Sequence, residues 1–219
     1  MNKKLSVCFV SGSERAGGNT SKVVSYIENR LANTLNINTI NLADQRIVPC
    51  GSCGNCNYKK TKCGIKDDMP AIIKNLTDSD ILIYLVPVHA FGMAHPMQIF
   101  LERAGVGYLR FERPLANKIG GCVIIGRRYN LGNVHDQIIN NFLLNRLIIP
   151  GAGYPALIQG GKSGDVLQDV EGLASLDMLI NRLCNVADAL KDVKYQEFGN
   201  ERKMVEIKEK NNKSWIHHD

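Results

Sequence analysis

Four of the seven cysteines stand between positions 50 and 63, as Cys50, Cys53, Cys56 and Cys63, in the pattern C-x2-C-x2-C-x6-C. Thiolates two residues apart can converge on one centre, because the turn between them folds back on itself. Gly51 and Gly54 ease that turning. Such thiols could ligate a soft metal centre, and the spacing bears on which.

In the C-x2-C-x2-C-x3-C run of two-cluster ferredoxins the fourth cysteine serves the other cluster. Here the longer gap before Cys63 gives it slack to return to the same one, since a chain extends by about 3.3–3.6 Å per residue. Structural zinc usually pairs two separated Cys-x2-Cys knuckles, whereas a triplet favours a 4Fe–4S cluster. Four thiols without a ligand remain the bland alternative, and disulfides are disfavoured in a cytoplasmic chain. Lys59, Lys60 and Lys62 could offset the charge of a cluster, or form a solvated loop or docking patch.

A second group surrounds the first glycine-rich turn, Ser11-Gly12-Ser13-Glu14-Arg15-Ala16-Gly17-Gly18-Asn19-Thr20-Ser21. It matches neither the Rossmann nor the Walker A pattern. Hydroxyl and amide side chains precede a helix, where free N–H groups and the helix dipole favour a phosphate. Ser11, Ser13, Thr20 and Ser21 could donate further hydrogen bonds. The alternative is a plain turn with Asn19 or Thr20 as N-cap.

The elements that must position these groups alternate. Leu5 to Val10 reads as a buried strand, Thr20 to Leu35 as a helix, and Asn36 to Leu42 as a second strand. After the cysteine loop come a helix near Met69 to Leu76 and a central strand, Asp80 to Val86, that stops at Pro87. A helix at about Pro96 to Ala104, a strand at Ile119 to Ile125 and a helix at Val134 to Leu147 follow. A short strand near Ile148, a glycine-rich stretch and a helix at about Leu173 to Leu190 complete the pattern. Such alternation implies right-handed βαβ units, a parallel sheet and ligands beyond the carboxyl ends of its strands. Cys8, Cys122 and Cys184 read as buried small hydrophobes.

With 219 residues, 44% of them apolar and 22% charged, the chain suits one soluble α/β domain. The reading divides it into a domain over 1–192, with the cysteine loop at 49–66, and a charged extension over 193–219. No apolar run approaches the ~20 residues of a membrane span, and Leu5 to Val10 is too brief for a signal peptide. A cytoplasmic protein is expected. The net charge of +6 is dispersed, and no nucleic-acid-binding motif accompanies it.

Taken together, these residues resemble the iron–sulfur flavoprotein branch of the NADPH-dependent FMN reductase-like, flavodoxin-fold family, over about Lys4 to Lys191. The features that carry the resemblance are Gly12 to Arg15 with Gly18 to Thr20, and the cysteine quartet followed by Ile65 to Met69. Pro87 to Gly92 running on to Glu102-Arg103, and Gly126 to Gly132 with the later Gly164 to Val166 and Asp169 to Gly172, complete the set. The resemblance implies a three-layer sandwich. It implies FMN on Ser11, Ser13, Arg15, Asn19, Thr20 and Ser21, with its ring bordered by Pro87, Val88, His89, Ala90, Phe91 and Gly92, and by Gly126, Arg127, Arg128 and Gly132. Two positions depart from the family pattern: His89, where tyrosine is common, and Leu131-Gly132, where the family often has two glycines.

The expected function is electron transfer between a one-electron carrier such as ferredoxin and a flavin-linked acceptor, in a homodimer or homotetramer. The rivals are a cluster-free NAD(P)H-dependent FMN or quinone reductase, a dehydrogenase of one small metabolite, and a zinc-stabilised binding module. A serine hydrolase is excluded, because no G-x-S-x-G elbow is present.

Overall fold

The computed structural model describes residues 4–51, 53, 62–104 and 113–195. Cys56, Lys59, Lys60 and the extension from residue 196 onward lie outside them. The described strands are β1 (Ser6–Ser11), β2 (Asn36–Asn41), β3 (Ile81–His89), β4 (Gly92–Met93), β5 (Ile119–Gly126) and β6 (Ala156–Gln159). Five of them run parallel in the order β2-β1-β3-β5-β6, and the short β4 folds back on β3. Setting β4 aside, this is the flavodoxin-like 2-1-3-4-5 winding.

The described α-helices are α1 (Asn19–Leu31), α2 (Met69–Asp78), α3 (His95–Ala104), α4 (Leu131–Leu144) and α5 (Val170–Leu190). Alternation along β3 explains why helices are needed on both faces. Leu82, Tyr84 and Val86 pack with α2, α3 and α4, whereas Ile81, Ile83 and Leu85 pack with α1 and α5. A strand apolar on both faces can be shielded from water only by a layer on each side, and each fully buried aliphatic side chain contributes about 1.5–3 kcal/mol. The three-layer α/β sandwich expected from the sequence is the observed fold. No described helix is long and apolar enough to cross a membrane.

Helix α1 ends at Leu31 and does not reach Leu35, and two further elements depart from the sequence expectation. The central strand does not stop at Pro87 but continues to His89. The Leu85 carbonyl accepts from Gly12 N at 3.0 Å on the β1 side, and Pro87, two residues on, points the same way. There β1 has already ended, so the missing proline N–H breaks no ladder bond. The Pro87 carbonyl is taken by Ala94 N at 2.9 Å, as the β4 hairpin fills the space beyond β1.

The other departure lies after β5. Helix α4 ends at Leu144 and does not reach Leu147. Arg146 adopts a left-handed conformation (φ 58°), and Leu147 N bonds to Phe142 O while Arg146 N bonds to Leu143 O, both at 3.0 Å. This Schellman close is usually signalled by glycine, which is absent here. Ile148 then forms only an isolated bridge with Ile119, and the last strand lies further on, at Ala156–Gln159.

Among the lone cysteines, Cys8 and Cys122 are buried, and burial pushes each thiol up to about 12. Cys184 is only half-buried on α5, with its thiol also raised by desolvation.

Candidate functional site

The carboxyl ends of β1, β3, β5 and β6 surround a cleft of about 490 Å³. Its lining includes Ser13, Arg15, Gly18, Asn19 and Thr20 from the loop after β1, and Pro87, Val88, His89, Ala90 and Phe91 from β3 and its turn. Ile125, Gly126, Arg127 and Tyr129 follow from β5 and its loop. Most residues expected at the cofactor therefore meet in one place. Five of those expected do not line it. Ser11 is buried at the end of β1, Ser21 donates its Oγ to Gly18 O at 2.8 Å, and Gly92 belongs to β4. Arg128 and Gly132 are exposed beside the cleft.

The start of α1 borders the cleft. Gly18, and neither Asn19 nor Thr20, is the N-cap of α1, and no side chain caps the helix. The first turn carries no acidic residue, so its N–H groups and the helix dipole open onto the cleft with their attraction for an anion intact. Thr20 is 3% exposed. Ser13 Oγ accepts from Arg15 N at 3.2 Å, turning the loop so that both residues border the cleft. No carboxylate is among the lining residues, whereas Arg15 and Arg127 are.

On the far side the walls suit a flat ring. His89 pairs with Gly92 across a two-residue hairpin whose tip residues, Ala90 and Phe91, both have positive φ (46° and 66°). This is the type I′ geometry that hairpin twist demands, and at non-glycine residues it costs roughly 1–2 kcal/mol each. Asn130, itself left-handed (φ 61°), donates its side-chain amide to Phe91 O and so joins the two loops. Phe91 and Tyr129 are 66% and 61% exposed, and their ring centroids lie 5.8 Å apart at the mouth. Exposed aromatic faces beside an apolar wall of Pro87, Val88 and Ile125 are a surface on which a planar ligand can stack.

A fourth loop was missed by sequence reasoning. Gly160, Gly161 and Ser163 also line the cleft. Gly160 N bonds to Gly126 O at 2.8 Å, Ser163 Oγ donates to Gly17 O at 2.7 Å, and Gly164 N donates to Asn19 Oδ1 at 2.8 Å. The loop is thus stapled to the loop after β1 from about 145 residues away. Hydrogen bonds from the Lys162 and Gly161 N–H groups shape it around Asp165 and hold that carboxyl below its usual value. Gly160 is required by close approach: a Cβ there would lie 2.7 Å from Val166 Cγ1 and 2.9 Å from Asn19 Nδ2. The available signal was the glycine-rich run after Ala156 to Ile158, obscured by placing the strand at Ile148.

The cysteine segment lies apart from the cleft's lining. Cys50, Cys53 and Cys63 are exposed, and Cys56 falls outside the described residues. Among the described residues, no three Cys, His, Asp or Glu side chains stand close enough to hold a metal. The donor chemistry is nonetheless uniform, because positions 50 to 63 contain thiols and no carboxylate or imidazole, the set that soft-metal and iron–sulfur centres use. The segment is tied down at both ends. Arg103 holds the Asp67 carboxylate through Nη1–Oδ2 at 2.6 Å and Nη2–Oδ1 at 3.3 Å, with side chains 6% and 0% exposed. Asp67 also accepts from Val48 N at 3.0 Å and Met69 N at 3.2 Å. Burial raises the Asp67 carboxyl, but the hydrogen bonds from Arg103, Val48 and Met69 outweigh it and hold the group below its usual value. A parallel tie joins Asp68 to Arg46, Oδ2 accepting Arg46 N at 2.7 Å.

Residues 5–162 match the family model described as NADPH-dependent FMN reductase. An iron–sulfur flavoprotein of Methanocaldococcus jannaschii is 31% identical over 195 residues, covering 85% of this chain and 100% of that protein. An iron–sulfur flavoprotein of Archaeoglobus fulgidus is 29% identical over 119 residues, 53% of this chain and 52% of that protein. The crystal structure of RosB with a bound intermediate superposes with a TM-score of 0.74 at 14% identity, covering 93% of this chain and 87% of RosB. FerB of Paracoccus denitrificans, a flavoenzyme NAD(P)H:(acceptor) oxidoreductase, gives 0.60 at 9% identity over 83% of this chain and 98% of its own. The two superpositions establish the fold, and the sequence matches establish the lineage. The chain belongs to the NADPH-dependent FMN reductase family, in its iron–sulfur flavoprotein branch, and is a flavin-dependent oxidoreductase.

Proposed function

We propose that the chain binds FMN in the cleft and a 4Fe–4S cluster on the cysteine segment, and moves electrons between a ferredoxin-like carrier and a flavin-linked acceptor. The observation that carries the flavin half is the uncapped, acid-free N-terminus of α1, opening beside Arg15 into a cleft without carboxylates. There the N–H groups of the first turn, with Ser13 and Arg15, bind the phosphate by dipole and charge. The β3–β4 turn and the Arg127 to Tyr129 loop orient the ring, and Phe91 and Tyr129 shield it from water. His89, bordering the same wall, can exchange a proton at its imidazole near the ring. Cys50, Cys53, Cys56 and Cys63 would hold the cluster.

When bound, FMN accepts two electrons and releases them singly, which a one-electron cluster can match. Two related iron–sulfur flavoproteins and the uniform thiol set support the cluster. We further infer a cytoplasmic homo-oligomer. The test is purification without oxygen, followed by a visible spectrum and iron and acid-labile sulfide assays on one sample. About four iron and four sulfide per chain beside one FMN support the reading.

A second reading is a cluster-free NAD(P)H-dependent reductase. It draws on the match of residues 5–162 to the family model described as NADPH-dependent FMN reductase. A flavin spectrum without iron, bleached rapidly by NADPH, would make it the better account.

A further inference from the structure

Arg103 stands near the end of α3, outside the cleft. Beyond its pair with Asp67 it makes two further contacts. Nη1 donates to Val48 O at 2.6 Å, and Nη2 lies 3.7 Å from Cys63 Sγ. Val48 precedes Cys50 by two residues, Cys63 is the last of the quartet, and Asp67 follows it by four. A single buried cation therefore grips the chain where it enters the cysteine segment and again where it leaves.

Anchoring alone would be satisfied by Asp67 and Val48. The second N–H of Nη2 is turned toward a thiol, which accepts hydrogen bonds well only as the thiolate. Only a guanidinium offers enough donors in a fixed fork to serve a carboxylate, a carbonyl and a sulfur together. We propose that Arg103 is a positioning residue for the thiol-bound centre, orienting Cys63 and donating a charge-assisted N–H···S hydrogen bond to its sulfur. The inference rests on the reading of the segment as a cluster site. Such a bond, with the positive charge behind it, favours the form that carries more negative charge on sulfur, which is the reduced form. It therefore raises the reduction potential.

The test uses the full chain, purified without oxygen, in two variants. Arg103→Lys keeps a positive charge beside Asp67 but cannot reach all three partners. The double variant Arg103→Gln/Asp67→Asn removes both charges and leaves no buried ion alone. FMN content and thermal unfolding monitor the fold, while iron retention against a chelator and an EPR-monitored potential titration read the centre. Both variants are expected to keep FMN, to hold iron about 10–100-fold more weakly, and to show a lower potential. Unchanged potential and iron retention in both would overturn the role of Arg103. So would loss of FMN and of cooperative melting in both, which would assign the residue to the fold alone. Wild-type protein carrying FMN but no iron would instead overturn the cluster reading, and this inference with it.

Discussion

The cleft and the cysteine segment are built on opposite plans. The cleft draws its walls from four loops that span residues 13 to 163, and hydrogen bonds from backbone and side chains lock those loops together. Its left-handed residues, Ala90, Phe91 and Asn130, hold conformations that only the surrounding sheet can enforce. The cysteine segment carries all its donors between positions 50 and 63 and is tied to the domain at its ends, through Asp67, Asp68, Arg46 and Arg103. A site made by the fold is pre-organised before its ligand arrives. A site made by local spacing depends on its anchors and on the ligand itself.

The contrast can be broken most forcefully at the anchor. Asp67→Ala leaves the Arg103 guanidinium buried without its carboxylate, and breaking a buried pair costs about 3–5 kcal/mol. Urea unfolding should show that loss, while FMN affinity in the folded fraction stays within about twofold, since neither residue lines the cleft. Equal loss of affinity would show that the two sites are not separate. The wild-type pair should also weaken in acid. The native Asp67 carboxyl lies below its usual value, so its contribution is complete above about pH 4 and is lost as pH falls through the lower native value. In the Asp67→Ala variant that part of the acid dependence should vanish.

A smaller effect is expected at the staple of the cleft. Gly160→Ala forces a Cβ against Val166 and Asn19, and overpacking of this kind costs about 1–3 kcal/mol. Fluorescence titration of the apoprotein with FMN should show roughly tenfold weaker binding, with iron content unchanged. Unaltered affinity would mean that the fourth loop does not shape the cofactor site.

The smallest effect lies beneath both regions, on β3. Tyr84 packs edge-on against Phe100 and Phe142 with its hydroxyl buried and without a partner among the described residues. Tyr84→Phe removes that unsatisfied group, so stability should rise by up to about 1 kcal/mol with both sites unaffected. A fall in melting temperature would contradict the packing described.

The two plans also differed in how far they could be read from sequence. The cysteine segment and the turn after β1 could be singled out as candidates, because the residues that would carry their chemistry lie close together in the chain. The alternation of strands and helices likewise conveyed the parallel sheet, and the resemblance to the flavodoxin-fold family conveyed its three layers. The Gly160 to Ser163 wall did not, since it becomes part of the site only through pairing of β6 with β5, and the end of α4 was hidden by an arginine in a left-handed cap. Pro87 misled for a related reason: a proline ends a strand only where its absent N–H faces a neighbour. The Asp67–Arg103 pair joins residues 36 apart, so only the packing of α3 brings it into view.

The most direct test of two separate redox sites is Cys53→Ala, purified without oxygen and assayed for FMN, iron and sulfide beside the wild type. The account predicts loss of the cluster with FMN kept at about one per chain, because a 4Fe–4S centre needs all four thiolates while Cys53 does not line the cleft. Loss of both cofactors from a folded chain, or wild-type iron in the variant, would contradict it.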